Sequence, residues 1–222
     1  MEDFDLGTGL ETVASRAYRE LHGRILRREL KPGEALRQNR LSKELGVGTN
    51  PLREAMVRLE CDGLIEIVPQ WGGRVRIWTK RDLRDFYEYR AAIESRIARL
   101  CAQRGSDQEF QELTELGKEI ERTLDSSKPQ QIENLTLDFE FHRHVARFAR
   151  SRLLLEQFNR MDVLHQLIHS WDLLDTAKFK EKDLHNWEDH PRLAQALASR
   201  DPDRAEHSMR LHLEPWMVFL RD

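Results

Sequence analysis

Four side chains that could bind a metal ion occupy the apolar sides of predicted helices. Asp138 and His142 are four residues apart, so both point to the same side of one helix and can meet. His190 and His212 each share a side with apolar residues in two further predicted helices. One carboxylate and three imidazoles directed into a common core suit a divalent transition metal such as Zn²⁺ or Ni²⁺.

The spacing alone also allows a simpler role for each of these residues. A polar group on an apolar helix face is costly to bury unless it finds a partner. A lone histidine in such a place is more often hydrogen-bonded within the core, and Asp138 with His142 could form an ion pair on a helix surface. The pattern therefore predicts either a shared metal site or separate polar contacts.

Arg90 is a second candidate, because it interrupts the apolar stripe of its predicted helix. A guanidinium in that position must be paired. One interpretation is a structural ion pair with a carboxylate such as Glu94 or Asp138. The other is a fork that binds the carboxylate of a small-molecule effector through two charge-assisted hydrogen bonds. His165 and His169 are candidates for lining the same cavity, although histidines in a helical stripe more often belong to a core or an interface.

A metal site raises the possibility of an enzyme, specifically a metal-dependent hydrolase with an accessory DNA-binding domain. Such an enzyme needs an open metal position together with a general base or a second metal. The sequence has no HExxH pair, and Glu140 turns away from the side of the helix that carries Asp138 and His142. Catalysis is therefore disfavoured, whereas metal sensing, with the ion itself as the signal, stays open.

Six helices are predicted to position these side chains in an all-α domain that spans residues 79–222. Thr79 and Asp82 have the spacing of a capping box, which places the start of the first helix and the domain boundary. No strand pattern follows, and about 140 residues are enough to bury a core. The predicted helices cover residues 81–104, 107–126, 129–149, 151–175, 182–199 and 202–220.

The N-terminal part, residues 1–78, predicts a winged helix-turn-helix. A first helix of about residues 10–30 precedes two short helices between residues 41 and 62, which are joined by a glycine-containing turn. The second of these helices is predicted to begin with Asn50 as its N-cap and Pro51 at its first position. A small helical hairpin without a DNA-binding role is the alternative. The residues expected to face its core are Leu52, Met56 and Leu59.

A β-hairpin after these helices favours the DNA-binding interpretation. Residues 64–69 and 74–78 show short β-like alternation, separated by residues 70–73. The hairpin would form the wing, where Gly72 and Gly73 could allow the backbone to approach a phosphate or the minor groove. Arg74 and Arg76 lie on the returning strand. The expected fold is mainly α, with a small β-hairpin wing.

The N-terminal pattern resembles the winged-helix domain of GntR-type bacterial transcriptional regulators over about residues 18–75. Members of that family commonly carry Ser or Thr followed by Arg before the recognition helix, whereas this chain has Gly48 and Thr49. The resemblance therefore implies the fold, but the operator sequence cannot be carried over. Its matching positions are residues 30–34, Leu41, residues 45–47, residues 51–55, Leu59, Gly63, Leu64 and Gly72.

The C-terminal pattern resembles the effector domain, often called FCD, of the FadR-type GntR subfamily. The match rests on residues 138–142, 189–190, 201–205 and 209–213. In metal-containing members the ligands are one Asp and three His, and the corresponding positions here are Asp138, His142, His190 and His212. Domains of this subfamily commonly bind organic acids, which favours the effector role of Arg90. Pro191 is a departure that places His190 in the first turn of its helix.

Together these patterns predict a ligand-responsive bacterial transcriptional regulator, expected to be a repressor that acts as a homodimer. Two recognition helices would enter successive major grooves of a pseudo-palindromic operator. Arg53 and Asn50 are predicted to contact base edges and Thr49 a phosphate or a base, while Gly72, Gly73 and Arg74 serve the wing. The effector is expected to be a small organic acid bound near a divalent metal.

Composition agrees with a DNA-binding protein of the bacterial cytoplasm. The chain is 34% charged, its mean hydropathy is −0.69, and it has no apolar run of the roughly 18 residues that a membrane span needs. Its 2 cysteines do not form a disulfide framework. The net charge is −3, but residues 13–78 hold 13 Lys+Arg against 8 Asp+Glu. Positive charge is thus concentrated where DNA contact is predicted.

Overall fold

A computed structural model describes residues 11–68, 72–124, 131–170 and 189–219 of this chain. The chain divides into two compact units, Met1–Ile77 and Trp78–Asp222. The described residues are mostly helical, with one small antiparallel sheet in the first unit. The predicted fold class, a winged helix-turn-helix followed by an all-α bundle, is confirmed.

The first unit has a core formed mainly by its first and third helices, whose aliphatic faces pack together. Leu52, Met56 and Leu59 are fully buried, as predicted, and so are Leu21 and Ile25 of the first helix. In chain order the elements are α1 (Val13–Leu26), β1 (Ala35–Leu36), α2 (Gln38–Leu45), α3 (Thr49–Cys61), β2 (Ile65–Val68) and β3 (Gly72–Val75).

Two predicted helix boundaries in this unit were wrong for local reasons. Helix α1 ends at Leu26, earlier than predicted, because Arg28 adopts a left-handed conformation with φ 58° and turns the chain. Helix α3 begins at Thr49 with Gly48 as its N-cap, so Asn50 is the second helical residue and not the cap. Pro51 still fits, because the first four N–H groups of a helix have no partner within it.

The sheet places β3 between β1 and β2, with both pairings antiparallel. Gly72 opens β3 with φ +100°, and a Cβ atom there would lie 2.5 Å from the backbone oxygen of Leu36. Glycine is the residue that satisfies both constraints at once. Glycine at this position thus allows β3 to lie closer to Leu36 of β1 than a residue with a side chain could.

Replacing Gly72 with alanine is expected to destabilise the first unit by about 2–3 kcal/mol, because it adds a backbone clash to a left-handed φ. Gly46→Ala is the matched control: its φ is +62°, but a Cβ atom there would meet nothing within 4 Å. The control should cost about 1 kcal/mol. Urea unfolding followed by circular dichroism measures both, and equal costs would contradict the contact with Leu36.

The second unit is a bundle organised around its first helix. Helix α4 packs along α9 and also contacts α6, α7 and α8. Its start is fixed by the predicted capping box, in which Thr79 and Asp82 bond reciprocally to each other's backbone N–H. The helices are α4 (Lys80–Arg104), α5 (Asp107–Leu124), α6 (Gln131–Phe148), α7 (Arg152–Ser170), α8 (His190–Ala198) and α9 (Pro202–Phe219).

The predicted six-helix pattern is therefore confirmed, with shifts at the ends of the helices. The fifth helix is described from His190 to Ala198. The predicted helical residues 171–175 and 182–188 lie outside the described ranges. No helix that the structure describes combines the length and apolar character needed to cross a membrane.

Candidate metal centre and nucleic-acid interface

The four predicted metal ligands come together in the interior of the second unit. Asp138 and His142 lie one turn apart on α6, His190 is the first residue of α8, and His212 lies on α9. All four are buried, with exposed fractions between 0% and 7%. One donor atom from each residue lies within 4.8 Å of the donor atoms of the other three.

The distances between these donor atoms fit one shared ion. Asp138 Oδ1 lies 3.1 Å from His190 Nε2 and 3.8 Å from His142 Nε2, and His142 Nε2 lies 3.3 Å from His212 Nε2. Donors about 2.1 Å from one ion are separated by about 3 Å at a right angle and about 4.2 Å when opposite. The cluster matches this range after movements of a few tenths of an ångström.

His190 reaches the cluster because of two local features of the sequence. Asp189 is the N-cap of α8 and Pro191 follows His190, so His190 lies in the first turn, as its neighbour Pro191 predicted. Gly117 of α5 faces this turn, and a Cβ atom there would lie 3.1 Å from the backbone carbon of His190. The absence of a side chain at Gly117 allows α8 to approach α5 closely.

The pKa shifts of Asp138 and His212 favour the protonation states that a metal would need. Burial alone would raise the pKa of Asp138, but the hydrogen bond with His190 and the charges of His142, His190 and Arg90 hold that pKa well below its usual value. Burial, together with the nearby His190 and His142, lowers the pKa of His212 well below its usual value. A charged carboxylate and a neutral imidazole are the forms that bind metals.

Arg90 is buried and paired, as one of the two interpretations predicted. Its Nε donates to Glu94 Oε1, and its Nη1 lies 2.6 Å from His165 Nε2. Asp138, the other suggested partner, acts on Arg90 by charge alone. His165 also packs edge-on against the ring of Phe139, with 4.5 Å between the ring centroids. The ion pair with Glu94 accounts for the burial of Arg90, and its role toward an effector stays a prediction.

The side chain of His169 lies outside the described residues, so its predicted role in lining the effector cavity stays a prediction. Glu94 contacts a predicted metal ligand as well as Arg90, which its sequence pattern did not indicate. Its second oxygen, Oε2, lies 2.5 Å from Nδ1 of His142. The i, i+4 spacing from Arg90 signals the ion pair, but no sequence signal points to the contact with a ligand on another helix.

The recognition helix α3 presents an exposed polar face at its start. Thr49, Asn50 and Arg53 are all exposed, and Val57 continues the same face with 44% of its surface accessible. Arg53 forms no ion pair with any residue in the described ranges. Because Asn50 is not the N-cap, its amide does not have to bond to the helix backbone. The face is therefore open to a groove of DNA.

The wing differs in part from its prediction. Gly73 is buried, and a Cβ atom there would lie 2.9 Å from Met56 Cε. Gly73 thus packs inward on α3, and its predicted contact with DNA stays a prediction. Arg74 is exposed, but its Nη2 lies 2.6 Å from Glu66 on the neighbouring strand. Gly72 is half-buried, and the positive φ at this position favours glycine.

Both units match known protein families. Residues 13–75 match the model of bacterial regulatory proteins of the gntR family, and residues 85–215 match that of the FCD domain. The GlaR transcriptional repressor of Escherichia coli is 29% identical over 88% of this chain and 90% of its own. A probable D-xylose utilization operon transcriptional repressor of Paenarthrobacter nicotinovorans is 28% identical over 93% of this chain and 88% of its own.

The fold agrees with these matches. The solved structure of E. coli McbR/YncC superposes with a TM-score of 0.70 at 21% identity, covering 95% of this chain and 98% of that one. The similar proteins are transcriptional regulators and not enzymes. The chain belongs to the GntR family of bacterial transcriptional regulators and carries an FCD domain at its C-terminal end.

Proposed function

We propose that this chain is an operator-binding repressor whose helical unit holds a divalent transition metal and responds to a small carboxylate. The observation that carries the proposal is the convergence of Asp138, His142, His190 and His212 in a buried cluster, with the guanidinium of Arg90 linked to it through Glu94. Such a cluster has no evident purpose in a protein that only binds DNA.

The DNA-binding part of the proposal rests on the exposed face of α3. In a homodimer, two such helices would enter successive major grooves, about 34–36 Å apart. Arg53 suits a bidentate contact with guanine, Asn50 suits adenine, and Thr49 would bind a phosphate or a base. On the wing, Arg74 and the backbone at Gly72 would contact the DNA backbone, and Arg74 would leave Glu66 to do so.

The metal part rests on the donor set. Three imidazoles and one carboxylate suit Zn²⁺ or Ni²⁺, and the four residues come from three helices that the ion would tie together. When bound, the metal would supply a Lewis-acid position for an oxygen atom of the effector. Asp138 would provide the negative charge that the ion needs, and His212 a neutral nitrogen.

The effector part rests on Arg90, with His165 beside it. A guanidinium has five N–H donors on three nitrogens, and Arg90 uses them toward Glu94, His165 and the side chain of Tyr87. A carboxylate effector would join or displace these partners, with His165 and, by prediction, His169 lining the cavity. Because operator DNA lies in the bacterial cytoplasm, the proposal also places the protein there.

The regulatory function can be tested by selection of fragmented genomic DNA on the purified, zinc-loaded chain, followed by sequencing. The expected result is enrichment of fragments that share a pseudo-palindrome, with affinity that falls steeply as salt rises. Enrichment no greater than that of random fragments would contradict the proposal. The selection is then repeated after chelation to test the alternative of metal sensing. In that case loss of the ion alone would switch the affinity for DNA.

Arg90→Ala is expected to weaken the response to carboxylic acids more than the affinity for operator DNA. The measurement is a thermal-shift screen of mono- and dicarboxylic acids on the zinc-loaded protein, repeated on the variant with the acid that stabilises most. The variant should lose most of that stabilisation, because it lacks the fork for the carboxylate.

Arg99→Ala is the matched control, because Arg99 lies on the same helix and pairs with Asp203 and Glu206 on the surface of the unit. This control should keep the full shift with the selected acid. An equal shift in wild type and Arg90→Ala would remove Arg90 from the effector site while leaving the DNA-binding proposal intact.

A further inference from the structure

We propose that Glu94 is a positioning residue that connects Arg90 to the metal centre, an inference that rests on the proposed metal site. One carboxylate serves two partners from different parts of the site. Its Oε1 accepts from Nε of Arg90, and its Oε2 lies 2.5 Å from Nδ1 of His142. Glu94 is only 1% exposed, so neither contact is weakened by solvent.

The contact with Glu94 determines which nitrogen of His142 is available to a metal. Glu94 pairs with the buried guanidinium of Arg90, the kind of partner that an ionised carboxylate needs in a core. An ionised carboxylate can only accept hydrogen bonds, so a hydrogen bond between Glu94 and His142 requires the proton on Nδ1. The neutral imidazole then has its lone pair on Nε2, the nitrogen that lies 3.3 Å from Nε2 of His212. A carboxylate behind a ligand histidine also makes the histidine a stronger ligand.

A comparison within the same helix indicates that this arrangement is more than an ion pair. Arg99 of α4 pairs with Asp203 and Glu206, and neither carboxylate reaches a candidate ligand in the described residues. Glu94 uses one oxygen for Arg90, which is enough to pair the buried guanidinium. The second oxygen is directed at His142, on another helix, and this contact gives Glu94 its proposed role.

Sharing one carboxylate couples the two sites. An anion that binds Arg90 would draw the guanidinium away from Glu94, and the negative charge of Glu94 would then act on His142 alone. The metal should be held more tightly in that state, and the bound metal should in turn favour the anion, because coupling between two binding sites is reciprocal. Replacing Arg90 also leaves Glu94 to act on His142 alone, as binding of the anion would, and this experiment needs no effector.

The test uses three variants whose zinc affinity is measured by competition with a chelator. Arg90→Met keeps Glu94 and should bind zinc more tightly than wild type. Arg90→Met combined with Glu94→Leu avoids an unpaired buried charge and should bind zinc about 10–100-fold more weakly than Arg90→Met alone. Arg90→Met combined with Glu94→Gln keeps an acceptor oxygen without the charge, so its affinity should fall between the two.

The matched control combines Arg99→Met with Glu206→Leu, which removes an ion pair between α4 and α9 that lies outside the cluster. Its zinc affinity should equal that of wild type. A second readout, nitrogen NMR of the histidine rings in metal-free protein, reports the tautomer of His142. The Nδ1–H form should dominate in wild type and Arg90→Met, and the Nε2–H form should appear when Glu94 is leucine.

The outcomes separate this inference from the proposed function. If neither wild type nor Arg90→Met binds zinc, the proposed metal site is wrong, and the tautomer of His142 still decides the role of Glu94. If wild type binds zinc but Glu94→Leu, in the Arg90→Met background, changes neither affinity nor tautomer, Glu94 is only the partner of Arg90. A weaker affinity in Arg90→Met than in wild type would overturn the coupling.

Discussion

Replacing His190 and His212 together with alanine is expected to abolish stoichiometric zinc binding. The two residues supply half of the four donors, and they come from α8 and α9, so the remaining Asp138 and His142 would form a two-donor site on a single helix. The loss in affinity should exceed the roughly 10–100-fold that removal of one supporting residue behind a ligand costs. Metal analysis after gel filtration measures it directly.

The matched control removes two histidines that lie on α6 and α9 but outside the cluster, His144 and His207. His144 lies 3.2 Å from Glu112, and His207 is exposed beside Arg210. The control should keep its zinc and the thermal stabilisation that zinc confers, about 2.7 kcal/mol at 100 times the dissociation constant. Full zinc occupancy in the His190→Ala, His212→Ala protein would rule out the proposed ligand set.

Arg53→Ala is expected to remove most of the specific affinity for the operator while leaving the fold intact. The side chain is exposed on α3 and forms no ion pair among the described residues, so its loss should not disturb the core. A bidentate contact with guanine is worth about 1–3 kcal/mol of discrimination in each half-site. Fluorescence anisotropy with the selected operator and with a scrambled duplex measures specific and non-specific binding separately.

Arg152→Ala changes the charge by the same amount at an exposed position of α7, where the side chain is 87% exposed. It should bind both duplexes as wild type does. A loss with Arg53→Ala that is equal for the operator and the scrambled duplex would mean that Arg53 contacts a phosphate and not a base. Unchanged operator binding would remove the recognition-helix assignment.

The fold was largely predictable because its strongest signals are local. Helical periodicity identified the inward face of α3 through Leu52, Met56 and Leu59, and the Thr79–Asp82 spacing located the start of α4. The cap of α3 was not predictable in the same way. Asn50 is a favoured N-cap residue, but the extended conformation falls on Gly48, two positions earlier.

The four metal-ligand candidates could be named from the sequence because each interrupts an apolar helix face. The bundle brings them together as the resemblance to the FCD domain implied. The dual contact of Glu94 was not predictable, since it depends on the rotation of α4 relative to α6 and on a carboxylate with two partners. The inward packing of Gly73 on Met56 likewise depends on how the wing folds back on α3.

The proposed anion site and the proposed metal site suggest how a signal in the helical unit could act on DNA binding. An effector can shift the protein between two states only as far as it binds one of them better. Arg90, Glu94 and His142 form a continuous buried chain from the proposed anion site to the proposed metal site. This chain would let an acid bound at α4 tighten or loosen the contacts among α6, α8 and α9, the helices that the metal ties together.

The most direct measurement is the dissociation constant of the zinc-loaded chain for its selected operator, with and without a saturating amount of the acid that gave the largest thermal shift. We expect the acid to change this constant by about 5–150-fold, the usual range of coupling between two sites. The change should disappear in Arg90→Ala. The same dissociation constant with and without the acid would contradict the proposed link between the helical unit and DNA binding.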